Sequence, residues 1–313
     1  MSKQKIEVPK DLGFGTNASA NNIRLINKDG TFNVLRKGLK FRESFTFYHF
    51  LITIPWWKFH LVAIIYFLSI NLIFTFLYLN FGEHLGGMIA NNSWQHFYET
   101  FFFSAQTLTT VGYGRINPIG FSTSAIAAIE SLVGLFGFAL ITGVLYGRFS
   151  RPESKILFSK NMVLAPYKNI NALMFRMANM QKSQLIETEV QVVIGYNKIV
   201  NEMPQRAFER LTLERDKINF FPLSWTVVHP IIEGSELHGM SINDLKNANA
   251  EFTVLVKAFD DTFHQQVYAR YSYLQDDFIE SAKFVPTYKP NNDGVIVMNF
   301  EKFDELESVE LNK

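Results

Sequence analysis

Thr109-Thr110-Val111-Gly112-Tyr113-Gly114 lies between two long apolar segments, and its reading governs that of the whole chain. A cation stripped of water needs replacement oxygens at close to the same cost. Four Thr-Val-Gly-Tyr-Gly strands supply them as rings of backbone carbonyls about a shared axis. Gly112 and Gly114 permit backbone geometry that a Cβ would obstruct, and the Thr110 hydroxyl adds a ring at the inner end. The stretch therefore predicts a strand that coordinates K+ through Thr110, Val111, Gly112 and Tyr113, with Gly114 closing it, if its flanks hold it within a membrane.

The flanks meet that condition. Residues 61–79 carry no formal charge, and as a helix they extend about 28 Å, the depth of a bilayer core. Residues 116–147 carry one charge, Glu130, and no comparable run follows residue 158. The second half reads as a soluble domain. Charge is divided likewise: residues 1–156 hold 14 Lys and Arg against 8 Asp and Glu, and residues 157–313 hold 16 against 21. The net +1 gives no footing for a nucleic-acid partner, and with no cysteine there is no disulfide or thiolate chemistry. The first apolar span follows nearly sixty mostly polar residues, which excludes a cleavable signal peptide.

Basic residues precede the first span (Lys40, Arg42, Lys58) and follow the second (Arg148, Arg151, Lys155, Lys160), whereas residues 80–117 hold only Glu83, Glu99 and Arg115. Positive charge favours the cytoplasmic side, so a multi-pass cell-membrane protein with both termini inside is expected.

Five segments follow. Residues 1–44 read as an extended, partly mobile cytoplasmic arm with an Asn27-Lys28-Asp29-Gly30 turn and a strand at 31–35. Residues 45–56 read as an interfacial helix stopped by Pro55, with Trp56 and Trp57 at headgroup depth. Residues 57–150 form a two-span pore domain, its spans near 57–80 and 119–148. Asn71 in the first span is expected to face protein. Residues 94–106, preceded by the cap candidate Asn92-Ser93, are too short to span and suit a re-entrant helix feeding the filter, with Phe101, Phe102 and Phe103 as packing. Residues 151–160 read as a basic linker. In 161–313, short β-branched runs at 188–194, 224–228, 252–259, 267–273 and 295–298 alternate with turn clusters, which indicates a β-sandwich. No Gly-x-Gly-x-x-Gly follows any of these runs, which disfavours a nucleotide-binding regulatory domain.

Together these features resemble the inward-rectifier potassium channel family in its prokaryotic branch, over about residues 22–303. Besides the filter, the resemblance rests on Asn27-Lys28-Asp29-Gly30 with Asn33-Val34, Trp57-Lys58, Glu130-Ser131-Leu132-Val133-Gly134 and residues 148–152. Arg176-Met177-Ala178-Asn179, Trp225-Thr226-Val227-Val228-His229-Pro230-Ile231 and Ala269-Arg270-Tyr271-Ser272-Tyr273 add to it. It implies a homotetramer, three identical subunits joining each chain, with an α-helical membrane pore above an all-β immunoglobulin-like cytoplasmic vestibule. Phe138 falls where strong rectifiers carry a cavity acid, which implies weak rectification. Tyr146 falls where inner helices converge and is the gate candidate. Trp57, Lys58, Arg148 and Arg151 match positions that bind anionic lipid headgroups, although Pro152 is followed by Glu153-Ser154 rather than a basic cluster.

Glu130, an acid within a span, is a functional candidate and is expected behind the filter as support. Gln106 replaces a glutamate that braces many relatives' filters, and Ile116 stands where its arginine partner would be, so part of the bracing must lie elsewhere. Gly134, Gly137 and Gly143 serve either as hinges or as packing notches. Residues 257–266 match a second constriction, with Ala258, Phe259 and Phe263 as lining candidates. None of the seven histidines has metal-ligand spacing, and no catalytic set or organic-cofactor loop stands out. A passive channel with K+ as permeant ion is expected, rather than an enzyme. The rivals are a ligand-gated two-span potassium channel of another class and a membrane-anchored signalling protein.

Overall fold

The computed structural model describes residues 24–38, 46–152, 154–200 and 203–312. Two compact units result: Lys37–Arg151, and Met1–Arg36 with Pro152–Lys313.

The first unit is helical. Helix α1, Phe47–Thr53, ends where Pro55 removes a donor, and helix α2, Trp56–Phe81, starts directly after that proline. The first position of a helix tolerates this arrangement because its N–H groups lack partners anyway. Strand β1, His84–Gly86, leads to helix α3, Ser93–Leu108. The Asn92 side chain caps α3 by accepting from the Gln95 amide at 2.8 Å, and Gln95 Oε1 accepts from the Asn91 amide at 2.6 Å. Strand β2, Asn117–Ile119, pairs antiparallel with β1, tying the chain beyond the hexapeptide to the chain before α3. Helix α4, Phe121–Phe149, completes the unit. Helices α2 and α4 are long and apolar enough to cross a membrane. At 16 residues, about 24 Å, α3 is shorter than a bilayer core, and it packs against both.

The second unit is a sandwich of two five-stranded sheets. Its strands are β3 (Ile156–Phe158), β4 (Met162–Tyr167), β5 (Ile170–Asn179), β6 (Leu185–Val200), β7 (Met203–Arg210), β8 (Lys217–Phe220), β9 (Ser224–Ile231), β10 (Glu251–Asp260), β11 (Gln265–Leu274) and β12 (Phe278–Glu280). One sheet runs β11-β10-β6-β7 with β8 on β6, and the other β12-β4-β5-β3 with β9 on β5. Period-two alternation carries the core: Phe252, Val254, Val256 and Ala258 of β10 face inward against Phe175, Met177 and Val227. The outer face of β5 and β9 is covered as well, because β13 (Ala282–Phe284) pairs with β14 (Leu306–Ser308) and packs a second cluster on Ala172, Met174 and Val228.

Three segment expectations change. Residues 24–32 are no mobile arm. The Ile26 side chain is buried, Arg24 donates to Asp277 at 2.8 Å, the Leu25 amide donates to Glu251 at 2.9 Å, and Ser272 Oγ donates to the Ile26 carbonyl at 2.5 Å. The strand expected at 31–35 reduces to a single bridge, Ile26 to Phe32, since Val34 and Leu35 have no ladder partner among the described residues. The linker expected at 151–160 contains β3, whose apolar Ile156-Leu157-Phe158 pairs with Met177–Asn179. The rest of the arm (residues 1–23, 39–44), residue 45 of the interfacial helix, and Glu153 lie outside the described residues.

Candidate functional site

The candidate filter strand follows directly on the end of α3. Thr109 ends the helix with its amide donating to the Ala105 carbonyl. The amides of Val111 and Gly112 both donate to the Gln106 carbonyl, at 2.9 and 3.3 Å. Gln106 thus holds the start of this strand through its backbone carbonyl. Thr110, Gly112 and Gly114 have φ of 61°, 51° and 83°. In an ordinary strand successive carbonyls point to opposite sides. A left-handed residue at every second position turns them toward one side, the counterpart of the alternation that aims amides inward in anion nests. A Cβ built on Gly112 or Gly114 meets nothing within 4 Å, so backbone conformation, not space, calls for glycine there. Thr110 takes the same conformation with a Cβ and carries the strain.

Glu130 is fully buried and accepts from Ser104 Oγ at 2.5 Å and Tyr78 Oη at 2.6 Å. Ser104 lies on α3, Tyr78 on α2 and Glu130 on α4, so one carboxylate ties all three helices together. Asn71, also fully buried, faces protein: its Oδ1 lies 3.1 Å from Ser104 Oγ, and its amide donates to the Phe67 carbonyl. Of the three phenylalanines, Phe103 packs edge-on to Tyr78, whereas Phe102 is exposed.

A charged pair lies beside this strand, its members read from sequence only as two of the three formal charges in residues 80–117. Arg115 follows Gly114 directly and forms a 3.3 Å ion pair with Glu99 of α3, while Glu99 also accepts from the Ile89 amide at 3.0 Å. A Cβ on Gly87 would overlap the Arg115 carbonyl, so that turn presses against the chain leaving the filter. An acid in a short helix and a base directly after the filter, in a loop with one further charge, is the signal that could have found it. Ile116 is buried in the apolar cluster beneath.

The glycines of α4 separate by environment. A Cβ on Gly134 would overlap the Leu108 carbonyl, and one on Gly137 would come within 2.7 Å of Tyr66 Oη, whereas one on Gly143 meets nothing. Gly134 and Gly137 are therefore packing notches, and Gly143 remains the hinge candidate. Phe138 and Tyr146 are exposed on the surface of α4.

Among the lipid-binding candidates, Trp57, Lys58 and Arg151 are exposed, with Lys58 Nζ over the Trp57 ring at 5.3 Å. Arg148 differs. Its guanidinium donates to the carbonyls of Leu51 and Ile54 at 2.6 and 2.8 Å, lies 4.3 Å from the Trp56 ring centre, and has its Nε buried. It caps the last carbonyls of α1, where a cation also meets the negative helix end, and so is not free for a headgroup. Of the constriction candidates, Ala258 turns its side chain into the sandwich core, Phe259 is half-buried and Phe263 is exposed.

Two membrane-length helices framing a short helix that ends on this strand define a two-span ion-channel subunit, and a family model described as an ion channel matches residues 62–151. A second model, the inward rectifier potassium channel C-terminal domain, matches residues 156–313. The chain is 36% identical over 294 residues to the inward rectifier potassium channel Kirbac3.1 of Paramagnetospirillum magnetotacticum, covering 93% of this chain and 98% of that one. It is also 27% identical to the ATP-sensitive inward rectifier potassium channel 12 of Gallus gallus and 26% to the human inward rectifier potassium channel 18, covering in each case 68% of this chain and 52% of the relative. The chain belongs to the inward-rectifier potassium channel family, and is a channel subunit rather than an enzyme.

Proposed function

We propose that four copies of this chain form a K+-selective pore in the cell membrane, with Thr110, Val111, Gly112 and Tyr113 lending oxygens to K+ in single file. The left-handed conformation at Thr110, Gly112 and Gly114 is the observation that carries this reading. Extended backbone would turn every second carbonyl away from the ion. Glu130 with Ser104 and Tyr78, Glu99 with Arg115, and the Gln106 carbonyl hold the strand. Both termini lie in the cytoplasm, following the basic flanks.

Gating is assigned to Tyr146, whose exposed ring would meet three copies of itself and exclude water, with Gly143 as the flexing point. The cytoplasmic unit and anionic lipid at Trp57, Lys58 and Arg151 bias that gate, and Phe259 and Phe263 line a second constriction. Phe138 supplies no cavity charge to hold Mg2+ or polyamines, so rectification is weak. The purified tetramer in liposomes is expected to take up rubidium against a trapped K+ gradient, with block by Ba2+ and no Na+ uptake. Vesicles equally tight to K+ and rubidium with every lipid tried would refute the reading.

A further inference from the structure

A cavity of about 150 Å³ lies within the helical unit, where the end of α2, strand β1 and the first turns of α3 and α4 meet. Two histidines line it, His84 from β1 and His96 from the start of α3. Both are exposed, and neither ring has a hydrogen-bond, ion-pair or aromatic partner among the described residues.

Sequence spacing does not pair these residues; the fold does. Strand β1 sets His84 opposite Ile119 of β2, and Thr123 Oγ1 accepts from the Glu83 and His84 amides at 2.8 and 3.2 Å. On α3, the His96 amide donates to the Asn92 carbonyl at 3.0 Å, and the His96 carbonyl accepts from Thr100 Oγ1 at 2.8 Å. Each ring therefore stands on backbone that is already fixed, which lowers the ordering cost of binding a ligand between them.

Imidazole nitrogens suit Zn2+, Ni2+ and Cu2+, whereas Mg2+ and Ca2+ take oxygen ligands. Two unpartnered rings on one small polar cavity offer a transition ion a two-point grip. Among the described residues no group of three or more His, Asp and Glu side chains is placed to hold a metal, so water fills the remaining positions. At roughly 30 Å³ per water, the cavity has room for that shell. The positive end of α3 disfavours a cation, and the Glu83 carboxylate on the cavity's rim offsets it. Ser122 holds Glu83 there, its amide and hydroxyl both donating to Oε1 at 3.1 Å.

We propose that His84 and His96 together bind one divalent transition ion of the zinc type, with water completing its coordination. The site stands on the helical unit alone and does not depend on the reading of the pore.

The test is calorimetric titration of the purified full-length protein, prepared without a polyhistidine tag, with zinc chloride. One saturable ion per chain is expected, undisplaced by a large excess of Mg2+ or Ca2+. His84→Gln and His96→Gln should each weaken binding by about a hundredfold, since loss of even an outer-shell partner costs up to that much. The two losses should not add in the double variant, because either one breaks the shared grip. His238→Gln, at an exposed position of the sandwich unit, should bind as the wild type does. If a variant does not fold, electron paramagnetic resonance of the Cu2+-loaded wild type decides, with two imidazole nitrogens on each ion expected. No saturable zinc binding, displacement by Mg2+, binding unchanged in either folded variant, losses that add as for two separate surface histidines, or a Cu2+ signal with fewer than two imidazole nitrogens would overturn the proposal.

Discussion

The helical unit buries Glu130, Asn71, Thr75, Thr100, Ser104 and Thr123 between its helices, whereas the largest buried cluster of the sandwich is apolar, with Phe252, Val254, Val256 and Tyr273 at its centre. On the outside the contrast reverses, with Leu61, Ile64, Ile65 and Leu68 exposed along α2. Hydrocarbon gives apolar side chains no reason to withdraw, so a membrane unit is held by packing and by polar groups that find partners inside. The sandwich has water outside and is held by its apolar core. Ser104 and Tyr78 meet at the Glu130 carboxylate, Asn71 joins them through Ser104, and Thr123 takes the Glu83 and His84 amides.

Changes in the two units should therefore separate the two properties. The largest effect is expected from Gly112→Ala. A left-handed Cβ costs about 1–2 kcal/mol per copy, four copies share one ion path, and rubidium uptake should be lost while the sandwich's thermal transition is unmoved. Phe252→Ala should do the reverse. It removes a fully buried ring from the sandwich core and should cost about 3–5 kcal/mol, read as a lower unfolding temperature with K+ over Na+ preference intact.

Asp277→Asn tests the docked segment at about 1–3 kcal/mol. Burial pushes the Asp277 carboxyl up, but Lys28, the Leu274 amide and Arg24 outweigh it and hold the group below its ordinary value of 3.8. A depressed folded value stabilises fully above 3.8 and is lost as the pH falls through the lower folded value. Proteolytic protection of residues 24–32 should weaken in acid in the wild type, and should be weaker at neutral pH in the variant. Glu251, pushed up by burial, works in the opposite sense, so in Glu251→Gln protection should fall more steeply on acidification than in the wild type, whereas Asp277→Asn should show little further loss in acid. The smallest effect is that of Gly143→Ala, which meets no clash and stiffens α4 by about 1 kcal/mol. Single-channel recording should show fewer openings at unchanged conductance.

Both spans and the short helix were legible because each rests on local sequence: an uncharged length and a cap. The strands at 252–259 and 267–273 were legible by alternation, which one covered face preserves. Strand β5 was not, because Leu173, Met174, Phe175 and Met177 are buried on both faces, which erases the period of two. The helix-capping contacts of Arg148 were not legible for a similar reason. A basic residue after a span suits a headgroup and a helix cap equally well, and only the Leu51 and Ile54 carbonyls decide between them. Glu99 and Arg115 stand sixteen residues apart, and no helical or strand periodicity joins them. Gln106 acts through its carbonyl, which every residue possesses, so its side chain signalled nothing.

Reversal potential in a planar bilayer, with K+ on one side and Na+ on the other, tests most directly whether inward-turned carbonyls select the ion. The account predicts a potential that follows the K+ gradient for the wild type, and loss of that current in Gly112→Ala. A wild-type potential near zero, with K+ and Na+ carrying equal current, would contradict it.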